Sequence, residues 1–197
     1  MNKLTITTFL FSLLLFNKVY ADIVTEIPSG IPLEEKRGLF YEVNSRTPFS
    51  GISVEYFENG QLSFKGNYKD GKEDGLYESY HKNGNLKEKG NYKDGELDGI
   101  WEYYSDKGQL EYRSNWKDGK EEGLYESYYD NGQLEYRSNW NGGELDGLNE
   151  SYYENGQLKY KGNYKDGELD GLTEEFRKNG ILSSRRNYKD GQRDGLT

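Results

Sequence analysis

Between Gly51 and Asp194 one 24-residue unit recurs six times in tandem, without insertion or deletion. A glycine opens each copy at Gly51, Gly75, Gly99, Gly123, Gly147 and Gly171, and Gly195 starts a seventh that stops at Thr197. A strict period of this length argues against a domain built on one thick core. It specifies an array in which each copy stacks on the next and the terminal copies differ.

Six positions recur inside the unit. Leu or Ile follows the opening glycine. One aromatic position holds Tyr56, Tyr80, Tyr104, Tyr128, Tyr152 and Phe176. Asn-Gly comes next, as at Asn83-Gly84, with Lys107-Gly108 the exception, and Leu62, Leu86, Leu110, Leu134, Leu158 and Leu182 follow two residues later. A second aromatic position holds Tyr68, Tyr92, Trp116, Trp140, Tyr164 and Tyr188, and Lys-Asp-Gly then makes a second turn, with Asn141-Gly142-Gly143 diverging. Asn-Gly and Asp-Gly tolerate positive φ and are hairpin signals. Each copy therefore reads as two short strands, roughly 76–81 and 86–92. A two-residue loop at Asn83-Gly84 would set Glu78 opposite Lys89 and put Tyr80 and Leu86 on opposite faces. A three-residue loop with Gly84 left-handed pairs Tyr80 with Leu86 and is the better solution. It is expected to place Leu76, Tyr80, Leu86 and Tyr92 on one face, since a one-residue slip would invert them all.

The predicted fold is all-β: an elongated, twisted, single-layer antiparallel meander sheet of tandem 24-residue hairpins. Twelve strands at about 4.8 Å spacing would extend roughly 55–60 Å. The composition is 31% charged and only 32% hydrophobic, which normally signals disorder. Nineteen tyrosines reverse that reading, because rings bury large areas and pair well across strands. One face is expected to carry Tyr, Leu and Trp, the other Lys, Glu and Ser. The formal charge of −9 disfavours nucleic acid as a partner.

Ahead of the array the organisation changes. Met1-Asn2-Lys3, the apolar stretch Leu4–Phe16 and the small residues Val19 and Ala21 form a secretory signal peptide pattern over residues 1–21, cut after Ala21. The apolar run is shorter than the roughly 20 residues of a spanning helix. Export to the periplasm or beyond is the expectation, and removing Lys3 and Lys18 from the total of −9 would leave −11. Residues 22–38, with Pro28, Gly30 and Pro32, read as a flexible lead-in. Residues 39–50 read as a degenerate half-repeat in which Tyr41 and Phe49 cap the first strand edge, and 51–197 are the repeats.

The strings YHKNGNLKEKGNYKDGELDG (80–99) and YENGQLKYKGNYKDGELDG (153–171) resemble MORN-type repeats, in the variant form with Asn-Gly and Lys-Asp-Gly turns. The resemblance covers Gly51–Thr197. Bacterial proteins with this variant are commonly grouped with the YwqK-type antitoxins. It implies an elongated antiparallel sheet, a binding or scaffold role and a protein partner, and it brings no catalytic residue and no cofactor.

The side-chain chemistry agrees with a binding role. There is no Cys and one His, His81, at a position filled elsewhere by Phe57, Ser105, Tyr129, Tyr153 and Arg177; it reads as a solvated strand residue, and His/Cys metal sites are excluded. Glu78, Glu102, Glu126, Glu150 and Glu174 read as partners for Lys89, Arg113, Arg137, Lys161 and Arg185 rather than as acid–base pairs. Turn chemistry accounts for Asp94-Gly95-Glu96-Leu97-Asp98-Gly99 without calcium. The aromatic ladder has functional reach: Tyr80, Tyr104, Tyr128 and Tyr152 with Trp116 and Trp140 could line a groove, or they could be the core itself. The less regular Tyr112, Tyr129, Tyr136, Tyr153 and Tyr160 are the better candidate contact residues, because the fold does not demand them in every copy. Two functions follow: a non-enzymatic, antitoxin-like protein-interaction scaffold, or an exported envelope module holding cell-wall glycan or lipid head groups on aromatic rings.

Overall fold

The computed structural model describes residues 32–195. The leader expected over 1–21 and most of the lead-in lie outside these residues. Among the described residues the chain is all-β, and a single antiparallel sheet runs in sequence order from Gly51–Tyr56 to Gln192–Asp194. Each copy contributes two long strands, as in Lys72–Tyr80 and Leu86–Lys93.

The Asn-Gly turn has the three-residue form. His81 N donates to the Asn85 carbonyl at 2.8 Å, Gly84 N donates to the His81 carbonyl, and Gly84 is left-handed at φ +87°. Tyr80 pairs with Leu86 as this loop requires, yet Glu78 pairs with Lys89 as the two-residue loop would require. Both registers hold because Lys87 is an extra residue in its strand, a β-bulge between the two pairs. The bulge recurs in the hairpins of Tyr56, Tyr104, Tyr128, Tyr152 and Phe176.

That bulge corrects the predicted faces. Leu76, Tyr80 and Leu86 share one face, but Tyr92 pairs with Gly75 and lies on the other. The rows of Tyr80 and of Trp116 and Trp140 therefore cannot line one groove. They sit on opposite sides of a one-layer sheet.

Hydrogen bonds between copies explain the two turns. Asn83 Oδ1 accepts from Asn85 N at 3.0 Å, closing the turn, while Nδ2 donates to the Asp106 carbonyl of the next copy. Asn59, Asn131 and Asn155 donate to the carbonyls of Lys82, Glu154 and Lys178 in the same way. At the opposite edge Asp94 and Gly95 are both left-handed, and Gly95 N donates to the Glu73 carbonyl of the preceding copy at 2.8 Å. Asp74 Oδ2 accepts from Asp94 N at 3.2 Å, so the acidic residue before the opening glycine anchors the next turn.

Ahead of the sheet lies a separate two-stranded hairpin, Leu33–Lys36 with Leu39–Glu42, which meets the first copy at its second turn, where Phe40 N donates to the Gly71 carbonyl; strand structure thus begins inside the expected lead-in. Gly71 N donates to the Phe49 carbonyl at 2.7 Å, the bond that Gly95 makes to Glu73 one copy later. Phe49 and Tyr68 form a buried core with Leu33, Phe40 and Phe64. Phe40, 5.2 Å from the Tyr68 ring, takes the place expected for Tyr41, whose ring lies under Lys36.

Candidate binding face

One face carries a charge ladder. Lys65, Glu78, Lys89, Glu102, Arg113, Glu126, Arg137, Glu150, Lys161, Glu174 and Arg185 are successive cross-strand partners, alternating in sign throughout. Arg113 holds Glu126 at 2.6 Å and Lys161 holds Glu174 at 2.9 Å. Hydrogen bonds from Lys161 and Arg185 hold the Glu174 carboxyl below the usual carboxylate range. The tyrosine row completes each pair: Tyr104, Tyr128 and Tyr152 donate to Glu102, Glu126 and Glu150 at 2.9 Å. Beside the ladder the Leu76 row stays in solvent, with Ile100 54% exposed. From Glu102 to Glu174 each carboxylate of this face is held by a cation of the same face.

The other face is aromatic. Its central column alternates large with small: Tyr77, Gly90, Trp101, Ser114, Tyr125 and Ser138. The small residues exist to let rings lie flat on the sheet. A Cβ at Gly90 would stand 2.6 Å from Trp101 Cζ3, and one at Gly66 2.5 Å from Phe64 Cζ. Ser114 and Ser138 fill the same position and accept from Trp116 and Trp140 Nε1 at 2.8 and 2.9 Å. Ring follows ring across the strands. Tyr77 lies 5.1 Å from Trp101 and 5.7 Å from Tyr92; Tyr103 stacks on Tyr112 at 5.3 Å, and Tyr125 stands 6.1 Å from Tyr112 and 5.9 Å from Tyr136. All remain partly exposed. Burial, with Glu73 adding to it, pushes the Tyr92 phenol up to about 12.

Of the five tyrosines singled out from the sequence, Tyr112, Tyr136 and Tyr160 occupy one row of this face. Tyr112 and Tyr136 belong to the ring chain just described. Tyr136 Oη also accepts from Asn149 Nδ2. Tyr160 stands over Gly162, and burial together with a hydrogen bond to Tyr164 raises its phenol. Tyr129 and Tyr153 lie at the Asn-Gly turn, and their hydroxyls donate to the Tyr152 and Phe176 carbonyls of the next copy at 2.7 and 2.8 Å. They thus couple copies through a bond that Phe57, Ser105 and Arg177 at the same position are not needed to make, so the fold uses these tyrosines without demanding one in every copy. His81 does the same through Nε2, 2.8 Å from the Tyr104 carbonyl, and is not simply solvated. Tyr153 and Tyr160 share a shallow recess with Lys159, Glu175, Phe176, Arg177 and Ser183.

The row of Tyr77, Trp101 and Tyr125 was not singled out from the sequence. Its 24-residue spacing two places after the opening glycine was the available signal.

Fold and faces together define a single-layer tandem-repeat β-sheet. The MORN repeat variant pattern matches residues 50–70, 73–94, 97–118, 121–141, 145–166 and 169–190, and the chain belongs to that family. Such repeats are generally scaffolds for protein or membrane interaction and are generally non-catalytic. No curated protein matches the chain.

Proposed function

We propose that this protein is a non-enzymatic scaffold that captures a partner protein on its aromatic face, in the manner of an antitoxin holding its target. The observation that carries this reading is the run of partly exposed rings from Tyr77 to Tyr136, on a sheet whose opposite face spends its charges on itself. Glycine and serine beside the rings let them pack on one another along the sheet while each stays partly exposed for contact. The resemblance of the repeat strings to antitoxin proteins supports the choice of a protein partner. The leader pattern over residues 1–21 supports capture outside the cytoplasm.

The test places a photocrosslinking amino acid at Tyr112, Tyr136 or, as the opposite-face control, Ile100, in the full chain expressed in its own cells. One dominant protein crosslinked from Tyr112 and Tyr136 but not from Ile100 is the expected result. Recovery of wall or lipid material alone would replace the scaffold with an envelope module. Equal crosslinking from Ile100 would overturn the choice of face. The mass of the purified chain, starting at Asp22, checks export.

A further inference from the structure

The two faces handle carboxylates differently. Among the described residues, Glu73 and Glu121 form no ion pair; they pair across the strands with Tyr68 and Trp116 on the aromatic face. Burial raises both carboxyls above their ordinary range. A carboxylate set against rings without a cation costs stability, so the repeat gains nothing by itself from having Glu there. Leu97, Leu145 and Leu169 fill the same position in other copies, which shows that an apolar residue suits the fold.

A third carboxylate, Glu88, borders the rings on the other side, opposite Ser79 and Tyr103. Here the chain supplies its own cation: Lys87 Nζ lies 3.3 Å from Glu88 and 5.8 Å from the centre of the Tyr103 ring. That arrangement, an ammonium over a tyrosine and beside a glutamate, shows the contact this surface makes with a positive group. Glu73 and Glu121 offer the same combination of ring and carboxylate with the cation missing.

We propose that the aromatic face between Glu73 and Glu121 docks an extended, Lys/Arg-bearing segment of the partner protein. This deepens the scaffold reading and rests on it. The two carboxylates are 48 residues, hence two copies and four strand spacings, apart, or about 19 Å at about 4.8 Å per strand. An extended chain covers that span in about six residues at roughly 3.3 Å each, so the basic residues of the segment stand about six positions apart. A lipid head group would meet one of these sites, whereas a polypeptide bridges both. The docking region also ends where both of its ingredients end. After Tyr125 the central column turns to Asn149 and Thr173, and after Glu121 the acidic position turns to Leu145, Leu169 and Arg193.

The test uses the full chain and a fluorescein-labelled peptide with two arginines six positions apart in a Gly/Ser/Tyr background. Its counterpart carries glutamine for arginine, and phosphatidylcholine vesicles form a third arm. The arginine peptide is expected to bind at least tenfold more tightly than the glutamine peptide, and more weakly as salt rises. E73Q/E121Q should lose that preference about tenfold while unfolding at the same or higher urea concentration, and E126Q on the ladder face should leave it unchanged. Equal binding of the two peptides, or full binding by E73Q/E121Q, overturns the proposal. Vesicle binding that E73Q/E121Q abolishes, without peptide binding, overturns it in favour of a lipid head group. If crosslinking from Tyr112 captures a partner while the arginine preference is absent, the scaffold stands and the basic segment falls. If crosslinking captures nothing, the scaffold reading itself fails.

Discussion

On the ladder face every glutamate from Glu102 to Glu174 has a cation within 3.9 Å, and a tyrosine hydroxyl on three of the four. On the aromatic face Glu73 and Glu121 lie against Tyr and Trp, and the packing is instead rings on glycine and serine. The same 24-residue period builds both, yet they do different jobs. The ladder specifies pairing: a copy inserted one strand out of phase would set glutamate against glutamate, which is unfavourable. Exposed pairs of this kind contribute little net stability. The rings supply the apolar packing that a one-layer sheet otherwise lacks, and they do so on the face opposite the ladder.

Alkaline titration should give the largest separation between folded and unfolded states. Tyrosines in the unfolded chain lose their proton near pH 10, while burial keeps Tyr77, Tyr92, Tyr112 and Tyr125 protonated above it, Tyr92 to about 12. Their contribution is complete below pH 10 and is lost as pH rises through the folded values. Each proton the native state retains steepens the fall by up to about 1.4 kcal/mol per pH unit, less for the more exposed rings. Urea midpoints between pH 9 and 12 measure this, and a flat profile would contradict the packing described. Glu73→Gln sharpens the contrast: it should lower the titration of Tyr77 and Tyr92 and leave Tyr128, on the ladder face, unmoved.

Much of this architecture can be read from the chain. The period, both turns, the left-handed Gly84 and the pairing of Glu102, Glu126, Glu150 and Glu174 with lysine or arginine all follow from residue types at fixed spacing. The faces do not, and the cause is one residue. The bulge position is Ser63, Lys87, Glu111, Glu135, Lys159 and Ser183 in successive copies, a set with no common chemistry. A classic bulge needs no glycine and leaves no compositional mark. Parity counted through it inverts, which moved Tyr92, Trp116 and Trp140 to the wrong side. The places of the five irregular tyrosines in the fold were not legible either. Irregular recurrence distinguishes a residue that every copy needs from one that few do, but Tyr129 and Tyr153 show that a turn can accept several side chains for one bond.

Gly90→Ala is the next largest effect and tests whether rings on glycine hold the sheet. The added carbon meets the Trp101 ring and must push it off the strand. Overpacking of this kind costs about 3 kcal/mol. Leu76→Ala, on the ladder face where the side chain is 36% exposed, should cost about 1 kcal/mol. Chemical denaturation of the two variants side by side decides the matter. Equal costs would mean that the aromatic face is not the structural side of the sheet.

The smallest effect is expected from the most conspicuous feature. Arg113 meets Glu126 through Nε at 2.7 Å and through its terminal nitrogen at 2.6 Å, and Glu126 is only 7% exposed. Against this, the Arg113 side chain is 44% exposed, and Glu126 keeps its bond from Tyr128 when the arginine is gone. A double-mutant cycle of Arg113→Met and Glu126→Gln should therefore give a coupling of about 0.5–1 kcal/mol, smaller in 1 M salt than in 0.1 M. A coupling above about 2 kcal/mol would move the ladder from setting register to holding the fold. The aromatic face would then be freer to carry uncompensated carboxylates than its packing alone implies.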